Sequence, residues 1–330
     1  LPAEPRSRDG ISAQALWFSA AGSCELRTER LPEPSANEVV VRTLFSGISR
    51  GTEGLVFAGQ VPDSEVERMR GPNMGGSFSF PVKYGYSAVG TIEAGPADLI
   101  GKTVFCLHPH QDLFVVSAEM VTPLPPEVPA ARAVLAANME TALNIVWDAG
   151  VLPGDRIAVF GAGVVGALVA YIVARIPGTD TILVDRQATR KDLATGLDIA
   201  FAHPEALEGE FDVLINATAS AEALAMALSY AGQEARIVEA SWYGDGSVSI
   251  PLGGAFHARR LSIVSSQVGS IPPARRARWN FSRRLAKALD LLADTRLDAL
   301  ISGETPFADL ERDYPHILAG ADTLCHRIRY

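Results

Sequence analysis

The sequence predicts an α/β protein, a mostly β domain followed by a domain built on a doubly wound parallel sheet. Three observations carry this. Short β-rich runs punctuated by Gly and Pro fill residues 11–125. Strands and helices alternate from Ile157 onward. The turn Gly161-Ala-Gly163-Val164-Val165-Gly166 joins the first of those strands to its helix. A length of 330 residues suits two domains, and 48% hydrophobic with 20% charged residues is a globular composition.

In the first domain Val39–Val41, Val89–Ile92, Val104–Cys106 and Phe114–Val116 read as strands. Gln60–Lys83 holds Gly71-Pro-Asn and Gly75-Gly76, and reads as a long loop of the functional or mobile kind. Ala130–Ala149 is helical in character and stops at Gly150, before Pro153. Strands Ile157–Phe160, Thr181–Val184, Asp212–Asn216 and Ala235–Glu239 then alternate with helices Val164–Arg175, Ala188–Gly196 and Ala221–Tyr230. A helix over Ala274–Ala293 should bury Phe281, Leu285, Leu289 and Leu292 as one stripe. A further helix near Phe307–Leu318 and a strand Leu324–Tyr330 follow. The 18 uncharged residues Ile157–Ala174 barely reach spanning length, and their glycines and β-like start favour strand, turn and helix instead.

A net charge of −9 argues against nucleic-acid or acidic-membrane partners. One stretch departs from it. Phe256–Lys287 contains seven Arg, one Lys and no acid. It reads as a solvated helix face or, more sharply, as a rim attracting an anionic substrate. Cys24, Cys106 and Cys325 are too scattered for a disulfide framework. Leu1–Arg8 lacks the apolar core of a signal peptide, so a cytoplasmic protein is expected. Because the chain opens on Leu rather than Met, an earlier start is expected too.

The glycine turn points to a dinucleotide. Gly161 permits the tight turn, Gly163 removes a side chain where a pyrophosphate approaches, and Gly166 lets helix and sheet pack closely. Asp185 ends the second strand, nineteen residues beyond Gly166, placed to accept bonds from ribose hydroxyls. A carboxylate there favours NAD over NADP; Arg186 and Arg190 would serve a 2′-phosphate only if Asp185 swung away.

Taken with Ser46-Gly-Ile-Ser-Arg-Gly-Thr-Glu53, Phe80-Pro-Val-Lys-Tyr-Gly-Tyr-Ser-Ala-Val-Gly90 and Glu140-Thr-Ala-Leu143, this layout resembles the medium-chain dehydrogenase/reductase family. The resemblance implies a GroES-like catalytic domain over 1–124, a Rossmann domain over 125–265 and a return segment over 266–330 that completes the first domain. It implies a nicotinamide-dependent oxidoreductase. The family's catalytic zinc positions fall at Ser49 or Arg50, Tyr86 and Ala137, and none is a zinc ligand. Its structural zinc lobe would span about 93–115, which holds only Cys106. Both zinc sites are therefore expected to be absent, as in the zinc-less branch that includes the bacteriochlorophyllide a dehydrogenases.

Without zinc the proton chemistry falls to polar side chains. Tyr86 at the ligand position, Ser49, Glu53 and Glu140 are the candidates, with His108 and His110 as a relay. Each also has a structural alternative: space filling for Tyr86, turn bonding for Ser49, a helix cap for Glu53, a buried acceptor for Glu140, a surface turn for the histidines. With Asp112 the histidines resemble a metal triplet, but no distant fourth ligand supports one. The resemblance places Arg50 toward the pyrophosphate, and Thr141, Ser241 and Gln267 with the cofactor. It also implies a homodimer through the edge of the Rossmann sheet. The expected reaction interconverts an alcohol and a carbonyl on a bulky or anionic substrate covered by residues 60–80. A zinc-less NADPH quinone or enoyl reductase, or a non-catalytic dinucleotide-binding redox sensor, are the alternatives.

Overall fold

The computed structural model describes residues 11–330; the first ten, where no signal peptide is expected, lie outside the described residues. The chain forms two compact units, one of the residues up to Val134 with Gly303–Tyr330, the other of Leu135–Ser302.

The first unit is β-rich. Strand Glu38–Ser49 is its axis: it pairs with Leu113–Ser117, Ala88–Ala94 and Cys325–Arg329, all antiparallel. Alternation explains its sequence. Val39 and Val41 face one core with Ala88, Ile92 and Phe114, while Val40 turns to the other face beside Ala13 and Leu113. A second sheet runs Ser23–Arg30, Ser12–Ala20, Val82–Lys83, Gly75–Gly76. Helices Arg50–Phe57 and Leu310–Ala319 contribute Val56, Phe57, Leu310 and Tyr314 to a core with Leu16, Phe18 and Ile48. The 60–80 segment is less loop-like than expected. It carries the Asp63–Glu65 turn and the Gly75–Gly76 strand. Phe78 is buried in that same core, with Met69, Met74 and Phe80 packed against it.

The second unit holds a six-stranded sheet in the order Ala200–Ala202, Asp180–Val184, Arg156–Phe160, Phe211–Asn216, Ala231–Glu239, Ser262–Ser265. Every pairing in it is parallel. The order reverses between Arg156–Phe160 and Phe211–Asn216, the switch point where such sheets take ligands. The 157–174 stretch resolves into strand Arg156–Phe160, the glycine turn and helix Val164–Val173. Among the described residues no helix is long and apolar enough to cross a membrane.

Several boundaries move. Strand Ala200–Ala202 was not expected; three residues are too few to show a period. The 274–293 helix is broken into Pro273–Arg276 and Phe281–Leu291, because Asn280 starts a new helix by accepting the Arg283 N–H (2.8 Å). Phe281, expected in the buried stripe, is 54% exposed. It is the first residue of that helix, and its ring lies beside the Arg284 guanidinium instead. The stripe continues as predicted through Leu285, Leu289 and Leu292, all buried. Residues 266–302, expected with the first domain, group with the second unit. The physical tie is Arg284, which is bonded to Glu140 and Asn144 of helix Ala136–Ala149.

Candidate active site

In the second unit the glycine turn is built for close approach. Gly161 has φ +100°, and a Cβ there would sit 2.9 Å from the Ala217 carbonyl. A Cβ on Gly166 would sit 1.9 Å from the Gly161 carbonyl. Both positions need glycine. Gly163 differs, since a Cβ there would meet nothing within 4 Å. Gly163 is the N-cap of helix Val164–Val173 and supplies no side-chain cap. The first-turn amides, including those of Val164 and Val165, are thus left to an external acceptor, as an anion site requires. Asp185 closes the turn: Oδ2 accepts the Ala162 N–H (2.7 Å) and Oδ1 the Gln187 N–H (2.8 Å). Each oxygen keeps acceptor capacity for a hydroxyl. Arg186 is exposed, whereas Arg190 is buried and bonded to Gln187 (3.0 Å). These residues fit the pyrophosphate and ribose of a dinucleotide.

The neighbouring strand ends form a polar cluster that sequence reasoning missed. Glu239 accepts from Asn216 Nδ2 (2.7 Å), the Tyr243 hydroxyl (3.1 Å) and the Ser241 N–H (2.8 Å). Burial, then the charge of Glu239, pushes the Tyr243 hydroxyl well above its ordinary pKa. Ser241 Oγ accepts the Ala219 N–H and Gln267 Oε1 the Gly269 N–H, so both side chains shape the loops after their strands. Thr141 Oγ1 donates within its own helix to Ala137. Glu140 is a buried acceptor, bound by Arg284 at 3.0 Å. Arg284 also donates to Asn144 Oδ1 and to the Val268 carbonyl, both at 2.5 Å. Burial raises the Glu140 carboxyl pKa even against the opposing charge of Arg284.

In the first unit the structure draws Ser49, Glu53, Tyr86 and His110 together. Ser49 stands at the N-cap of helix Arg50–Phe57 without a side-chain cap bond, and the fully buried Glu53 reaches back to the Ser49 N–H (2.8 Å). The other Glu53 oxygen accepts from His110 Nε2 (2.9 Å) and the Tyr314 hydroxyl (2.5 Å). His110 Nδ1 is hydrogen-bonded to Ser46 Oγ (2.8 Å), and Ser46 Oγ to the Tyr330 hydroxyl (2.9 Å). Gly85, at φ +124°, lets the chain pass close to His110, since a Cβ would lie 3.0 Å from its ring. The next residue is Tyr86. Tyr86 is half-buried, and the side chains of Ser49 and Thr52 face its hydroxyl and favour the ionised form. Burial first, then the Glu53 charge, raises its pKa, so it stays protonated.

His108 does not join this chain. It stacks on Phe114 with centroids 3.9 Å apart and bonds the Pro109 carbonyl, and burial lowers its pKa to about 3. Arg50 donates to the carbonyls of Gly320 (2.5 Å) and Ala321 (3.2 Å). Thr52 sits inside the quoted 46–53 motif and was overlooked. Ser46 heads the same motif and was given no role there, while Tyr314 and Tyr330 gave no local signal. Ser49, Arg50, Tyr86 and Ala137, where the resemblance put the zinc positions, carry hydroxyl, guanidinium, phenol and methyl groups. Among the described residues no group of three or more His, Cys, Asp or Glu could hold a metal.

No protein-family model matches the chain. It is 29% identical over 205 residues to 2-desacetyl-2-hydroxyethyl bacteriochlorophyllide A dehydrogenase of Cereibacter sphaeroides, covering 56% of this chain and 60% of that one. The chain thus spans less than two thirds of that relative. L-idonate 5-dehydrogenase of Escherichia coli superposes with a TM-score of 0.80 at 14% identity, over 97% of this chain and 99% of the other. A protein described as a short chain alcohol dehydrogenase from E. coli CFT073, solved with NADH, does so at 0.75 and 16%, over 97% and 99%. The fold is that of the medium-chain alcohol dehydrogenases, a GroES-like plus a Rossmann domain, as expected.

Proposed function

We propose that this chain, whose fold and homologues are of the medium-chain alcohol dehydrogenase type, interconverts an alcohol and a carbonyl with NAD and without zinc. One observation carries the reading: the glycine turn, with Gly161 and Gly166 irreplaceable, Gly163 open and Asp185 bonded to Ala162. Gly163, Val164, Val165 and Gly166 would hold the pyrophosphate, and Asp185 the ribose. Asp185 favours NAD, because a 2′-phosphate there would meet a carboxylate. Nicotinamide, when bound, supplies the hydride acceptor or donor.

The rest falls to the protein. Tyr86, protonated at Oη, donates a hydrogen bond to the substrate oxygen; as hydride reaches the carbonyl carbon it passes that proton to the alkoxide formed and regains one from solvent, and in the reverse direction its phenolate takes the hydroxyl proton as hydride leaves. Ser49 and Thr52 fix the direction of that hydroxyl. Glu53 fixes Ser49 through its backbone N–H, and His110 and Tyr314 fix Glu53. Without a metal to grip one oxygen, more binding energy must come from the rest of the substrate, which favours a bulky or anionic molecule. We place the protein in a reducing, cytoplasmic setting, where Cys24, Cys106 and Cys325 stay as the free thiols observed. A homodimer through the Ser262–Ser265 edge strand belongs to the same proposal.

A panel of secondary alcohols with NAD, run beside quinones with NADPH, tests this. Turnover of alcohols with NAD is expected. Turnover of quinones alone would replace the proposal with a quinone reductase, and cofactor binding with no turnover would replace it with a sensor.

A further inference from the structure

The basic stretch Phe256–Lys287 plays no part in that reading. Half of it is neutralised in the structure: Arg259 pairs with Glu210, Arg260 with Glu234, Arg284 with Glu140 and Lys287 with Asp290. Arg276, Arg278 and Arg283 donate only to the backbone carbonyls of Ile271, Ala274 and Arg278. Among the described residues these three and Arg275 have no acidic partner. Arg275 lies 5.7 Å from the centroid of Trp147, Trp147 lies 4.8 Å from Trp279, and Arg283 lies 4.1 Å over Trp279. Three cations without an acidic partner, Arg275, Arg278 and Arg283, and two indoles therefore sit together on a chain of net charge −9.

Arg275, Arg278 and Trp147 line an apolar groove within the second unit, of about 420 Å³, a size that suits small ligands. Val146, Trp147, Leu152 and Ile172 line it, and Arg275 and Arg278 complete the lining. Leu152 is 64% exposed and so offers apolar surface to the groove. The groove is remote from the glycine turn. Ile172 lies eight residues along the helix that starts at Val164, about 12 Å down its axis. Leu152 comes just before the start of strand Arg156–Phe160. The groove is thus at the strand-start end of the parallel sheet, opposite the end at which such sheets bind cofactor and substrate.

We propose that this groove is a second binding site, and that it takes an amphipathic monoanion. The headgroup, a carboxylate or its equivalent, lies between Arg275 and Arg278, whose planar guanidinia match it. The apolar body covers Val146, Trp147, Leu152 and Ile172. Charge complementarity selects this class: a neutral amphiphile would leave both guanidinia unanswered, and a cationic one would be repelled.

Titration calorimetry on the full chain with decanoate, kept below its micelle concentration, tests the site beside 1-decanol and decylammonium. Saturable binding of one decanoate per chain is expected, at least tenfold tighter than decanol, with decylammonium silent. The Arg275→Gln/Arg278→Gln variant should bind decanoate at least tenfold more weakly and NADH unchanged. Protein saturated with NADH should take decanoate with unaltered affinity. No saturable decanoate binding up to millimolar concentration, equal binding of decanol, or an unaffected double variant would overturn the proposal. So would competition between decanoate and NADH, which would place the anion at the glycine turn.

Discussion

Replacing Arg284 with Met separates the buried ion pair of the second unit from its surroundings. Arg284 and Glu140 side chains are 2% and 6% exposed, and Arg284 also satisfies Asn144 and the Val268 carbonyl. Met fills similar volume but leaves the Glu140 carboxylate buried without a counter-charge. Breaking such a pair from one side costs about 3–5 kcal/mol. In a unit of this size each kcal/mol lowers Tm by about 2–4 °C, so a fall of roughly 10 °C is expected at pH 8. The cost should depend on pH, with a definite sign. The folded pKa of Glu140 is already raised by burial, and removing the guanidinium raises it further. A carboxyl with a raised folded pKa stabilises fully below its unfolded pKa and loses that stabilisation as pH rises through the folded one. The deficit of Arg284→Met against wild type should thus be smaller near pH 5, where only the lost bonds to Asn144 and Val268 remain, and grow toward pH 8. Glu140→Gln/Arg284→Met should recover part of it. Calorimetric unfolding across pH measures all three proteins. A Tm for Arg284→Met within 2 °C of wild type at pH 8, or a deficit that shrinks as pH rises, would refute the reasoning.

Three more outcomes are expected. His108 is neutral in the fold, with a pKa lowered by burial to about 3, and titrates near 6.5 when unfolded. The unfolded chain therefore binds the extra proton, and stability falls as pH drops below 6.5, by about 2–3 kcal/mol at pH 4.5. His108→Gln should flatten that acid limb in denaturant titrations, and an unchanged slope would count against it. Gly166→Ala forces a Cβ to 1.9 Å from the Gly161 carbonyl, so it should lower Tm and abolish NADH binding together; retained affinity would show that the turn tolerates a side chain. Tyr86→Phe should cut kcat by about 10²–10⁴ with KM little changed, read as NADH formation on the identified alcohol. A KM effect alone would reduce Tyr86 to packing.

What was legible in the sequence was what is local. The Gly161–Gly166 turn and Asp185 lie on adjacent elements, and their spacing carries their geometry. Strand Phe211–Asn216 and helix Ala221–Tyr230 have full periods to read, while Ala200–Ala202 does not. The Ser46–Glu53 motif indicated Ser49 and Glu53 but not their partners. Tyr314 is 261 residues from Glu53 and looks like one more apolar position of its helix. Tyr330 reaches Ser46 only because strand Cys325–Arg329 pairs antiparallel with Glu38–Ser49. The two histidines looked equivalent in Leu107-His-Pro-His-Gln-Asp112. The fold separates them, one onto Phe114 and the other onto Glu53. Arg284 read as one of eight basic residues, and nothing in its neighbourhood marked it as the one that pairs with Glu140.

The central claim is that a nicotinamide dinucleotide lies across the Gly161–Gly166 turn. Gly163→Asp tests it most directly. The backbone there is extended, with φ −75°, and a new Cβ touches no protein atom, so the fold should be undisturbed. The new carboxylate would stand where the pyrophosphate approaches. Calorimetric titration with NADH should give one site per wild-type chain, and Gly163→Asp should lose at least a hundredfold in affinity at an unchanged Tm. NADH binding to Gly163→Asp with wild-type affinity would contradict the account.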